Sequence, residues 1–133
     1  MTFGYTHCPD VCPTTLADLA NALKQLGNEA SQVQVLFVTV DPRRDSPELL
    51  RQYVMAFYPD FLGLHGDEAA IARVTKDFRV YASVREGKTP GGYTVDHSGQ
   101  IFVLDREGRM RLLFAPGTAP AAMAADLRLL LKS

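Results

Sequence analysis

Residues 33–40 read VQVLFVTV, a run that is β-branched and nearly all apolar. Such a strand is at home only where both faces are covered, as in a parallel sheet. Parallel neighbours cannot be joined by a tight turn, so a crossover must precede the run. Residues 14–26 supply it: Leu16, Leu19, Ala20, Leu23 and Leu26 recur at helical spacing, and Gly27 is the stop. In front of that helix, residues 1–5 read as the tail of another strand. Strand, helix and strand in this order predict a right-handed βαβ unit.

The remaining pattern extends the same architecture. Ser46 is placed to cap a second helix with Pro47 and Glu48 in its first turn, running to about Phe57. Residues 61–64 are a short strand candidate. Asp67 is placed to cap a third helix with Ile71, Val74 and Phe78 on its apolar side. Residues 80–85 read as a strand, and residues 86–100 as a long loop, or a loop around a short strand piece. Residues 101–105 and 110–114 form a hairpin whose turn uses Gly108, and a last helix starts near 118–120. This predicts an α/β fold: a thioredoxin-like three-layer sandwich with a mixed central sheet and an inserted helix. With 133 residues, 47% of them hydrophobic, residues 1–133 are expected to form a single domain. A strand feeding an active loop is usually about 5–6 residues long and only residues 1–5 are available, so the start is expected to be truncated and more chain to lie upstream.

The formal net charge of −1 gives no footprint for nucleic acid, and no apolar run reaches the ~18 residues of a membrane span. Both cysteines fall in residues 8–13, CPDVCP, at the turn between the first strand and the first helix. A residue before proline is driven toward extended backbone, and proline suits the first helical position. Cys12 is therefore expected at or beside the helix N-cap, where the helix dipole favours a thiolate. Two cysteines are too few for a disulfide scaffold. Inert burial fits poorly with a polar, proline-flanked loop. A dithiol switch is open, although such switches normally space their cysteines by two residues and here three intervene. A soft-metal site is the third reading: two thiolates favour Cu(I) or Zn(II), and a histidine would complete the set.

His97, in the Gly-rich loop, is the best third ligand. His7 adjoins Cys8 and reads as structural or as an outer partner of the ligands, and His65 reads as surface. Asp96 is placed to orient His97 or to bond its own backbone. Asp41 ends the buried strand at the carboxyl edge of the sheet, where α/β sites gather. Arg43, Arg44 and Asp45 read as a solvated loop. Phe3, Tyr5, Phe37, Phe78 and Phe102 are expected in the core or packed near the site. A peroxidase would carry threonine three residues before its reactive cysteine, where this chain has Tyr5 and Pro9. Structural zinc prefers four protein ligands.

Three stretches resemble signatures of one family. Residues 3–13 (FGYTHCPDVCP), 40–48 (VDPRRDSPE) and 93–98 (YTVDHS) resemble, in order, motifs of the SCO/SenC proteins. The resemblance implies a thioredoxin-like copper chaperone that assembles the binuclear copper centre of cytochrome c oxidase. It implies Cys8, Cys12 and His97 as the copper ligands, for Cu(I), Cu(II) or both. Its partners would be the copper-receiving oxidase subunit, with another copper chaperone or a thioredoxin-like reductant as further ones. It also implies a location on the periplasmic side of the inner membrane, or in the mitochondrial intermembrane space, with a membrane anchor and an N-terminal hairpin upstream of the cysteine motif, the hairpin being truncated in this sequence. The chief rival is a thiol–disulfide oxidoreductase using Cys8 and Cys12 as its catalytic pair, with incidental metal binding.

Overall fold

The computed structural model describes the backbone of residues 1–6, 11–80, 82–85, 94–97 and 99–132, and the side chains of 1–6, 14–80 and 99–132. In chain order the elements are β1 (Thr2–Gly4), α1 (Val11–Leu26), a 3-10 turn (Gly27–Gln32), β2 (Leu36–Thr39), α2 (Pro47–Met55) and β3 (Leu62–Leu64). They continue with α3 (Glu68–Asp77), β4 (Ala82–Arg85), β5 (Thr94–His97), β6 (Ile101–Leu104), β7 (Met110–Phe114) and α4 (Pro120–Leu131). Five strands form one sheet in the order β3-β2-β1-β6-β7. The β1–β2 and β2–β3 pairs are parallel, and the β1–β6 and β6–β7 pairs are antiparallel. The expected mixed α/β sandwich is therefore the observed one.

The helix boundaries follow local chemistry. The Ser46 hydroxyl accepts from the Leu49 N–H at 3.1 Å, and Pro47 opens α2. The Asp67 carboxylate accepts from the Ala70 N–H at 2.7 Å and starts α3. Gly27 ends α1 at φ +63°, a backbone that a side chain would strain. In the β6–β7 hairpin Gly108 takes φ +82°, and the Asp105 carboxylate accepts from the N–H groups of Glu107 and Arg109, each at 2.9 Å. The Arg109 N–H bond is the largest of the effects that hold the Asp105 carboxyl below its ordinary pKa.

Alternation along the strands sends successive side chains to opposite layers. Phe37, Ile101 and Phe114 join the buried faces of α1, α2 and α4. Phe3, Tyr5, Val38, Val40 and Phe102 face the other way, against Ile71, Val74 and Phe78 of the α3 region. There the Phe3, Phe78 and Phe102 rings meet with centroids 5.3–5.9 Å apart. The first two crossovers step the same way across the sheet, so right-handedness puts α1 and α2 on one face. Residues 33–40 do carry a strand covered on both sides: Phe37 is 1% exposed and Val38 4%.

One sequence expectation needs refinement. Residues 80–85 carry a strand, β4, but it pairs antiparallel with β5 in a separate two-stranded sheet, in register from Ala82↔His97 to Arg85↔Thr94. The short strand piece expected within 86–100 is β5.

Strand β3 lies so close to α2 that a Cβ built on Gly63 would stand 2.9 Å from Leu50 Cβ and 3.3 Å from the Leu50 carbonyl. Leu50 is fully buried and cannot yield. Gly63→Ala should lower unfolding stability by about 1–3 kcal/mol, the usual cost of overpacking. Urea denaturation of the two proteins checks this, and an unchanged midpoint would mean that α2 is free to move away from β3.

Candidate functional site

Strands β1, β2 and β3 run in one direction, so their carboxyl ends share one edge of the sheet. The chain leaves β1 there through Tyr5 and Thr6 and re-enters regular structure at Val11, the first residue of α1. His7 and Cys8 lie outside the described residues. Cys12 is the second residue of α1, and its side chain is likewise outside them.

The helix therefore starts two residues before Pro13, not at it. The first four helical N–H groups have no intrahelical acceptor, so proline at the third position forfeits no bond. This is why the pre-proline bias at Cys12 does not postpone the helix. Cys12 thus lies within the first turn, the part of a helix over which its dipole acts.

His97 is the last residue of β5, paired with Ala82, and Asp96 is paired with Ser83. Neither side chain is among those described. The backbone beyond them is informative. Ile101 pairs antiparallel with Thr2, and the Phe102 N–H donates to the Met1 carbonyl at 2.8 Å. Residues just before Ile101 thus approach from the carboxyl end of β1. His97 is four residues from Ile101, a reach of at most about 14 Å. Residues 99–100, which lead into β6, and the first turn of α1 thus lie toward one sheet edge.

That edge is braced by buried polar groups. The Asp45 carboxylate is fully buried and Asp41 is 3% exposed. Asp45 accepts from the Thr6 N–H at 3.0 Å, from the Thr6 hydroxyl at 2.6 Å and from the Thr39 hydroxyl at 2.8 Å. Thr39 in turn accepts from the Asp41 N–H at 3.0 Å, and the Asp45 N–H donates to the Asp41 carbonyl at 3.0 Å. Arg44 Nε lies 2.5 Å from Asp41 Oδ2, and its guanidinium sits 5.7 Å from the centre of the Tyr5 ring.

The reading of Arg43, Arg44 and Asp45 as a solvated loop is correct for Arg43 alone. Its side chain is 70% exposed and paired with Glu68. Arg44 and Asp45 turn inward because their partners sit on strand ends already fixed by the sheet. Thr6 and Thr39 were passed over. A single hydroxyl inside the apolar run 33–40 was the available signal, since a buried hydroxyl demands a partner. His65 is exposed as expected, with Nε2 3.3 Å from the Pro42 carbonyl of the same loop. Among the described residues there is no group of three or more His, Cys, Asp or Glu side chains arranged to hold a metal. Among them, no helix is long and apolar enough to cross a membrane.

Comparison with known proteins adds three findings. The family described as SCO1/SenC matches residues 1–132. A SCO2-like protein of Rickettsia prowazekii is 41% identical over 108 residues, 80% of this chain and 53% of the relative. The mitochondrial SCO2 homolog of Bos taurus is 44% identical over 108 residues, 80% of this chain and 41% of that protein. The chain thus spans about half the length of the curated relatives it matches. Among solved structures, Bradyrhizobium japonicum ScoI with copper bound superposes with a TM-score of 0.89 at 43% identity, over 97% of this chain and 82% of that one.

The braced edge separates two adjacent arginines. Arg44→Ala leaves the 3%-exposed Asp41 carboxylate without its guanidinium and should cost about 2–3 kcal/mol. Arg43→Ala removes an exposed pair and should cost less than about 0.5 kcal/mol. Chemical denaturation of both variants tests the contrast, and equal losses would contradict the burial described.

Proposed function

Because the chain belongs to the SCO1/SenC family, we propose that it is a copper-binding metallochaperone, with copper as its cargo rather than a permanent cofactor. Residues 1–133 act as a single copper-binding domain. The Cys8 and Cys12 thiolates and one His97 ring nitrogen hold the ion. Sulfur and imidazole donors suit copper, and thiolates in particular suit Cu(I). A relative of known structure that is 43% identical carries copper, which supports the choice of metal.

The observation that carries the reading is the pairing of Ile101 with Thr2. It supports a late histidine meeting an early cysteine pair at one sheet edge. Three donors leave the ion open on one side, where ligands of a receiving protein can attach before these let go. The receiver is the subunit of cytochrome c oxidase that houses the binuclear copper centre. The matched relatives include mitochondrial proteins, consistent with a site of action in the intermembrane space or, in a bacterium, the periplasm. Another copper chaperone, or a thioredoxin-like reductant that keeps the cysteines as thiols, completes the set of partners.

The same dithiol has a second use. Cys8 and Cys12 can pass two electrons and two protons to a disulfide of the receiving subunit, becoming a disulfide themselves. The receiver's cysteines then leave as thiols ready for metal. A site near a helix N-terminus favours the attacking thiolate.

Competition with a chromophoric Cu(I) chelator tests the ligand set. Cys8→Ser and Cys12→Ser should each lose more than the roughly tenfold to hundredfold in affinity that an outer partner costs. His97→Ala should weaken binding and alter the visible spectrum of the Cu(II) form. A His97→Ala protein with unchanged affinity and spectrum would refute the three-donor site. Rapid disulfide turnover that is indifferent to His97 would favour the oxidoreductase.

A further inference from the structure

We propose that Asp45 is a positioning residue for the cysteine loop, acting through Thr6. The inference rests on the reading that Cys8 and Cys12 hold copper. Its basis is the fully buried Asp45 carboxylate, which takes both the N–H and the hydroxyl of Thr6.

Burying a carboxylate is costly, and a buried polar cluster can often be replaced by well-packed apolar residues without loss of stability. Stability alone therefore does not account for an aspartate here. What an apolar residue cannot supply is direction. Two bonds to one residue fix both the backbone and the side-chain rotamer of Thr6. Thr6 is the last described residue before the loop and stands two positions from Cys8.

The carboxylate is itself held. Its second oxygen also takes the Thr39 hydroxyl, and Thr39 ends β2, whose partner across the sheet is Gly4 of β1. The Val40 N–H donates to the Gly4 carbonyl at 2.8 Å, which closes the frame. Asp45 ties the departing end of β1 to the end of β2 and sets the direction in which the chain leaves toward Cys8. The other end of the loop is fixed by the first turn of α1. With both ends set, less ordering is left for the ion to impose.

The role is geometric, so charge is not required. Asparagine keeps one oxygen for the Thr6 N–H and the Thr39 hydroxyl, and its amide can donate to the Thr6 hydroxyl. Four variants separate the possibilities, measured where each is shown folded by circular dichroism. Asp45→Ala removes every bond. Thr6→Val removes only the hydroxyl bond and preserves shape. Asp45→Asn keeps the acceptor. Val54→Ala opens a cavity in the core of α2, away from the loop, and controls for lost stability.

Cu(I) affinity should fall roughly tenfold or more in Asp45→Ala and Thr6→Val, the scale on which outer partners act. It should stay within about threefold of wild type in Asp45→Asn and Val54→Ala. A second readout needs no copper. With oxidised glutathione as oxidant, two protein thiols give the Cys8–Cys12 disulfide and two reduced glutathiones. The equilibrium constant should fall about tenfold in the first two variants, through lost effective concentration of one thiol near the other. If Asp45→Ala does not fold, Thr6→Val decides. Wild-type values of either quantity in folded Thr6→Val overturn the proposal. So does an Asp45→Asn loss as large as that of Asp45→Ala, or an equal loss in Val54→Ala. Failure of wild-type protein to bind Cu(I), with the glutathione result intact, would sink the copper reading and leave the positioning role standing.

Discussion

β1 pairs with two neighbours in opposite senses, and the site depends on that arrangement. Its parallel partner, β2, can be reached only by a crossover, so α1 must begin where β1 ends. Its antiparallel partner, β6, must be approached from that same end. One three-residue strand thereby brings an early loop and a late segment to a common edge. The cores on the two faces then hold the strand in place, with Phe3 and Tyr5 against α3 and Phe37 beneath α1.

Much of this was legible in the residues. Apolar residues at period 3.6, or nearly continuous across eight residues, marked the type and order of α1, α2, α3, α4 and β2, and the Gly108 turn marked the β6–β7 hairpin. Ser46 and Asp67 announced their helices through a chemistry that acts over three residues. The departures have different causes. α1 starts at Val11 rather than at Pro13 because a proline within the first turn removes no intrahelical bond. The pairing of β4 with β5, outside the five-stranded sheet, is a tertiary choice that strand propensity does not encode.

The loop at 41–46 is the instructive failure. Asp-Pro-Arg-Arg-Asp has the composition of a solvated turn, and composition is a local property. Whether Asp45 is wet or dry is settled by Thr6, 39 residues away in sequence, and by Thr39, six away. Arg43 and Arg44 are chemically identical, yet one faces Glu68 in solvent and the other meets a buried carboxylate beside the Tyr5 ring. Asp41 and Asp45 are both buried but meet different groups: Asp41 pairs with the Arg44 guanidinium, and Asp45 accepts from two hydroxyls and a backbone amide.

The ligands proposed for copper also differ in what holds them. The cysteine pair leaves from β1 and enters α1, elements tied into the main sheet and its core. His97 belongs to β5, which pairs only with β4 among the described strands, and two strands alone make a marginal sheet in water. The nearest firm anchor for His97 is therefore Ile101, at the start of β6 and 4% exposed. Donors that are all fixed bind tightly and release slowly, so the proposed handing on of copper would gain from one donor carried on a separate ribbon. Under the proposed ligand set, Asp45 acts at the cysteine end of the site, through Thr6, and the β4–β5 ribbon carries the histidine end.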